Sequence, residues 1–190
     1  MQQVFKNALF HKEPTVLRRR LLPLCCGHVM TLMAADNPYA VPQTEKPNLI
    51  HLAFAVGICS RTHEDGEAWM RSENLLPEVK KWGKSCRKLN FPQEAKAFET
   101  YLRDFTIFPL RATKSPSSEC HHPWPLIIAV SIMPMVGESR AWNMPLPKAI
   151  SLWSAYQETQ GDDSLVTDWE INNLARMKAE KKAKDKQNEK

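Results

Sequence analysis

Apolar residues recur along this chain at helical rather than alternating spacing. Val29, Leu32 and Met33 mark a short helix over Gly27–Ala35, which Asp36-Asn37-Pro38 stops because proline disfavours helical geometry in the residue before it. Residues 38–47 hold three prolines and read as a loop. Pro47–Cys59 is apolar on nearly every side, with Leu49, Leu52, Ala53 and Val56 as inner candidates, which predicts a central helix. Thr62 and Asp65 form a start signal like a capping box for a helix carrying Trp69 and Met70 inward and fraying near Ser72. Leu75, Val79, Trp82, Cys86 and Leu89 give a stripe over Leu75–Leu89 whose other face is basic: Lys80, Lys81, Lys84, Arg87 and Lys88. The clearest helix runs over 92–106, with Phe91, Ala95, Phe98, Leu102 and Phe105 as its stripe.

Further on, 109–123 reads as a polar, proline-bounded surface loop, followed by an apolar helix over 125–136. Pro134 weakens the last turn of that helix and Gly137 ends it. Ala141-Trp142-Asn143-Met144-Pro145 reads as a compact turn into a helix over 146–159, with Leu146, Ala149, Ile150, Trp153 and Tyr156 on its inner face. Thr167-x-x-Glu170 is a capping box for a last helix, whose apolar face fades after Met177 into a solvated, lysine-rich stretch. The expected architecture is all-α: an N-terminal arm over 1–21 with a possible extended segment at Val16–Leu22, a compact multi-helix domain over 22–175, and a charged tail over 176–190.

Composition narrows the function classes. Of 190 residues, 43% are apolar and 25% charged, the balance of an ordinary folded domain rather than a disordered or membrane chain. Only six glycines stand against 14 prolines, which disfavours a turn-rich β-sandwich and phosphate-cradling loops. None of the common nucleotide, zinc-protease, serine-hydrolase or calcium-loop motifs occurs. The net charge of +5 is uneven: residues 1–20 carry an excess of +4, residues 178–190 an excess of +3, and the stretch between them −2. Basic ends attract phosphate backbones or acidic protein surfaces, or are simply solvated termini. Arg18-Arg19-Arg20 before Leu21–Cys26 has the look of a signal sequence, but the apolar run breaks after six residues at Gly27-His28. The runs Leu49–Cys59 and Trp124–Val136 are too short to span a bilayer, so a soluble, cytoplasmic protein without membrane association is expected.

Five cysteines, at 25, 26, 59, 86 and 120, make an odd number and point to free thiols in a reducing compartment. Cys25-Cys26-x-His28 and Cys120-His121-His122 offer six metal-ligating side chains, but neither has the spacing that lets two ligands from one turn meet an ion. Cys59 closes an apolar helix, where the dipole disfavours a thiolate. The acids Glu64-Asp65-Glu67 and Asp162-Asp163 sit where caps and turns are expected. No catalytic, cofactor or metal site is therefore expected. Trp142, in a turn, is a candidate partner contact, and the Lys80–Lys88 face is either solvated or an anion-binding surface.

The order of landmarks adds a resemblance. Leu22-Pro23-Leu24-x-x-Gly27-His28-x-x-x-Leu32, followed by Asn37-Pro38-Tyr39, resembles the opening of small tail-assembly-chaperone-like proteins of phages and prophages. Leu52-Ala53-x-Ala55-x-x-Ile58-Cys59-Ser60-Arg61-Thr62-x-Glu64 is similar to a second block of that group. Trp142-Asn143-Met144-Pro145-Leu146-x-x-Ala149, an acidic-Gly turn and a polar last helix look like its ending, so the blocks span roughly residues 20–170. The resemblance implies a small, mainly helical, non-enzymatic protein that binds the long tape-measure protein and delivers it to tail-tube assembly. Two other readings fit the same residues: a nucleic-acid-binding accessory protein using the Lys80–Lys88 face and the lysine tail, and a virion structural or head–tail connector protein.

Overall fold

The computed structural model describes residues 13–41, 46–108, 122–161 and 176–177. Among the described residues the chain is all-α but for one small hairpin. The helices are α1 (Cys26–Ala34), α2 (Leu49–Cys59), α3 (His63–Met70), α4 (Leu75–Ser85), α5 (Phe91–Phe105), α6 (Trp124–Val136), α7 (Glu138–Asn143) and α8 (Leu146–Thr159). The hairpin pairs β1 (Thr15–Val16) with β2 (Arg19–Arg20), antiparallel, Thr15 opposite Arg20 and Val16 opposite Arg19. No helix among the described residues is long and apolar enough to cross a membrane.

α2 is the central helix its composition implies. Leu52, Ala53, Ala55, Val56, Ile58 and Cys59 are buried, and α2 packs against α1, α3, α4 and α5. Asn48 caps it, its side-chain oxygen accepting from the N–H of Ile50 and His51 at 2.9 and 3.0 Å. α1 is the wall between two groups of helices, touching α2 and α3 on one side and α6 and α7 on the other. α6 in turn packs on α7 and α8. The Asn37-Pro38-Tyr39 turn locks onto α2 and α5: Asn37, buried, donates to the His51 carbonyl at 3.1 Å, and the Tyr39 ring meets Phe98 edge-on at 5.2 Å.

Two expectations from the sequence need correction. The compact turn read at Ala141–Pro145 is mostly helix: α7 runs from Glu138 to Asn143 and leaves only Met144 and Pro145 between it and α8. Gly137 makes this possible at φ 84°, reversing the chain after Val136 so that a new helix starts at once. Six residues with only Ala141 buried give no periodic stripe to read. The second correction concerns α5. Phe98 and Phe105 are buried as the stripe requires, but Tyr101 is buried too and Leu102 is half-buried. Tyr101 can go inside because its hydroxyl donates to the Leu22 carbonyl at 2.8 Å.

The described part of the arm expected over 1–21 enters the core: Val16, Leu17 and Leu21 are fully buried. The turn between the strands holds Leu17 at φ 47° and Arg18 at φ 64°, a geometry that suits a two-residue hairpin but is uncommon for leucine. Leu17 is held there by its N–H donating to Glu94 Oε2 at 2.7 Å and by burial of its side chain. Beyond the hairpin, Leu21 to Cys25 form a non-helical strap into α1, with Cys25 in extended geometry. Here Leu22 donates to the Cys59 carbonyl at 2.8 Å, and Leu24 accepts from the N–H of Leu146 at 2.6 Å. The last helix expected from Thr167, the loop over 109–121 and the tail beyond Met177 lie outside the described residues.

Core replacement on α5 should discriminate its two leading positions. Phe98→Ala is expected to cost about 3–5 kcal/mol in urea unfolding, and Leu102→Ala about 1–2 kcal/mol because that side chain is only partly buried. Two glycines give a contrasting pair. A Cβ on Gly57 would lie 2.3 Å from the Trp69 ring, so Gly57→Ala should destabilise by about 1–3 kcal/mol. Gly83 has open space in that direction, and Gly83→Ala should be neutral or stabilise by up to about 1 kcal/mol in the same assay.

Candidate functional site

Residues from three separate stretches of the chain, 22–28, 61–64 and 143–145, meet where α1, α3 and α7 converge. Thr62 starts α3, its hydroxyl oxygen accepting from the Asp65 N–H at 3.2 Å and the hydroxyl donating to Asp65 Oδ2 at 2.8 Å. Asp65 therefore serves the cap, as acids at a helix start are expected to. Glu64 does something else. It reaches α7, where Ser139 Oγ donates to Oε1 at 2.7 Å and Asn143 Nδ2 approaches both carboxylate oxygens at 2.8 Å. Asn143 completes the joint by accepting from the His63 N–H at 2.8 Å. The Ser139 hydroxyl, followed by the Glu64 N–H and Asn143, holds the Glu64 carboxyl below the usual range. It is an exposed, ionised carboxylate positioned by neutral donors.

Behind it, α1 and α3 approach closely at Gly27, where a Cβ would fall 2.4 Å from His63. The His63 ring lies 5.4 Å from that of Trp142 and its Nε2 is 3.6 Å from Glu67, which also takes Arg71 at 3.1 Å. Arg61 stacks its guanidinium 4.3 Å over Trp69 and donates to the Gly57 carbonyl. Trp69 in turn donates to Glu78 at 2.8 Å and stacks on Phe54. His28 lies at the bottom of the joint, 2% exposed, its Nε2–H donating to the Arg61 carbonyl at 2.7 Å. That bond fixes the tautomer, leaving Nδ1 unprotonated and without a partner among the described residues. Burial lowers the His28 pKa from 6.5 to about 4.

Two clefts open here and share Glu64 and Ser139. The larger, about 740 Å³, has Met30, Met70, Ala34 and Trp142 as apolar lining and Glu64, Glu67, Glu138, His63 and Arg71 as charged or titratable lining. The smaller, about 360 Å³, is lined by Leu22, Pro23, Cys25, His28, Arg61, Thr62, Glu64, Ser139, Asn143 and Pro145. All of these but Cys25 and Ser139 belong to the quoted blocks. The chemistry on offer is recognition: a carboxylate for a cation or donor, ring and thioether surfaces for an apolar side chain.

The other residues singled out in the sequence are placed as follows. Cys25, Cys26, Cys59 and Cys86 are buried free thiols. Burial pushes Cys25 up to about 12 and raises Cys26 and Cys59 as well, so these three stay protonated at neutral pH. Cys120 and His121 lie outside the described residues, and His122 is exposed. Among the described residues no three His, Cys, Asp or Glu side chains group in a way that could hold a metal ion. Asp162 and Asp163 are outside the described residues. Trp142 is half-buried against His63 and lines the larger cleft. The Lys80, Lys81, Lys84, Arg87 and Lys88 side chains are exposed. Sequence reasoning missed the Glu64–Ser139–Asn143 joint. Its only signal was the recurrence of Glu64 and Asn143 within the quoted blocks.

The buried His28 makes stability depend on pH. Between pH 6.5 and about 4 the unfolded chain binds a proton that folded His28 does not. Stability is therefore undiminished by this group above 6.5 and falls as pH drops toward 4, by about 3 kcal/mol across the window. Urea unfolding at a series of pH values should show this slope, and His28→Gln should flatten it. No family model, curated protein or solved structure matches this chain.

Proposed function

We propose that this protein is a non-enzymatic assembly factor of the phage tail-assembly-chaperone kind, which binds another protein chain and works without a cofactor. The observation that supports this reading is the convergence just described. Residues quoted for the resemblance from three separate stretches meet at the α1–α3–α7 joint and line its smaller cleft. The client is a long helical protein such as a tape-measure protein, encountered in the cytoplasm of the host cell. Clefts with thioether, tryptophan and carboxylate lining suit single anchoring side chains of such a helix.

Co-expression with a phage tape-measure protein, followed by pull-down at low and high salt, tests the reading. A complex that survives high salt is expected, because desolvated apolar anchors outlast screening of exposed charges. Capture of nucleic acid with steep salt dependence, and no protein complex at either salt, would replace the reading with a nucleic-acid accessory role.

A further inference from the structure

A second surface lies on α4, next to the start of α2. There a cleft of about 390 Å³ has Leu49 and Ile50 as its apolar lining, with Lys80, Lys84 and Arg87 around it. Ile50 is 44% exposed, although it belongs to the most apolar helix of the core. Among the described residues no carboxylate lines the cleft. Among the described residues none of the three cations has an ion pair. Lys80 and Lys84 stand one helical turn apart, so their charges repel and cost the helix some stability without relief. Elsewhere on α4, Arg19 of the hairpin stacks 4.0 Å over Trp82. Gly83 lines the cleft without a side chain, leaving room between the cations.

We propose that this cleft receives an acidic amphipathic segment of a partner protein, its apolar side chain on Leu49 and Ile50 and its carboxylates on Lys80, Lys84 and Arg87. Charge complementarity selects the carboxylates, and the exposed isoleucine selects a protein segment over a nucleic acid. Phosphates gain nothing from an apolar lining, and bases need an open aromatic face, whereas Arg19 already covers that of Trp82. The proposal rests on the protein-binding reading above and names the chemistry of a partner segment.

The test uses the full chain and a fluorescein-labelled 21-residue helical peptide with leucines on one face and glutamates flanking them. Fluorescence anisotropy should show binding that weakens at least tenfold with Lys84→Glu and with Ile50→Asp, while Lys84→Arg retains it. A companion peptide with lysine in place of glutamate should not bind. Circular dichroism melts establish that each variant folds, and Ile50→Ser replaces Ile50→Asp if the latter does not. Affinity within twofold of the parent in both Lys84→Glu and Ile50→Asp overturns the proposal. So does equal binding of the lysine peptide, or binding of a 20-base-pair duplex in place of the acidic peptide. Capture of the tape-measure protein without peptide binding overturns this proposal alone. Peptide binding without that capture sustains it and removes only the tape-measure client.

Discussion

The strap from Leu21 to Cys25 is the constraint on which the rest of this fold depends. Its backbone closes the C-terminal end of α2 through Cys59, takes the Tyr101 hydroxyl from α5, and accepts the first N–H of α8 at Leu146. Three helices from distant parts of the chain are thereby held by five residues. The side chains of Leu21 and Leu24 go into the core between them, while Cys25 pairs with Pro145 in a single bridge. Buried backbone groups are costly to leave unpaired, so these bonds also set the register in which the helices meet.

The strap leads directly into α1, and α1 in turn separates the α2–α5 group from the α6–α8 group. The polar groups are arranged around this axis. On one side of α1 the Glu64 carboxylate is tied to α7 by Ser139 and Asn143, beside the His63 N–H bond to Asn143. On the far side of α2, α4 presents lysines that have no acidic partners among the described residues. The mild acidity of the chain between its basic ends is thus an average over two surfaces of opposite character.

Most of the helices were legible because their apolar residues repeat at steps of three and four, as Leu75, Val79, Trp82, Cys86 and Leu89 do. The all-round apolar Leu49–Cys59 segment marked its own place at the centre for the same reason. α7 was not legible, because a six-residue helix with one buried alanine has no period to detect. Tyr101 was hidden by its hydroxyl, which looks polar until its partner carbonyl is known. The hairpin was hidden by its residues: Leu17-Arg18 is a poor sequence for two left-handed positions, and only the Glu94 carboxylate and the surrounding core make it tenable. Local pattern recorded which faces turn inward. Side chains that satisfy one another across 70 or 80 residues, such as Glu64 with Asn143, leave no local trace.

The reach of the strap has a consequence in time. Leu22 is synthesised before the tyrosine that will bond its carbonyl, which follows 79 residues later, on the order of 10 s at cellular rates of translation. Glu94, which holds the left-handed Leu17, comes 77 residues after it. Throughout that interval the Leu22 carbonyl and the Leu17 N–H lack their final partners. Helices α1 to α4 can form from local contacts as they emerge, whereas the strap gains its partners in stages, at Cys59, then Tyr101, then Leu146. An early segment that docks late is open to other apolar surfaces in the meantime.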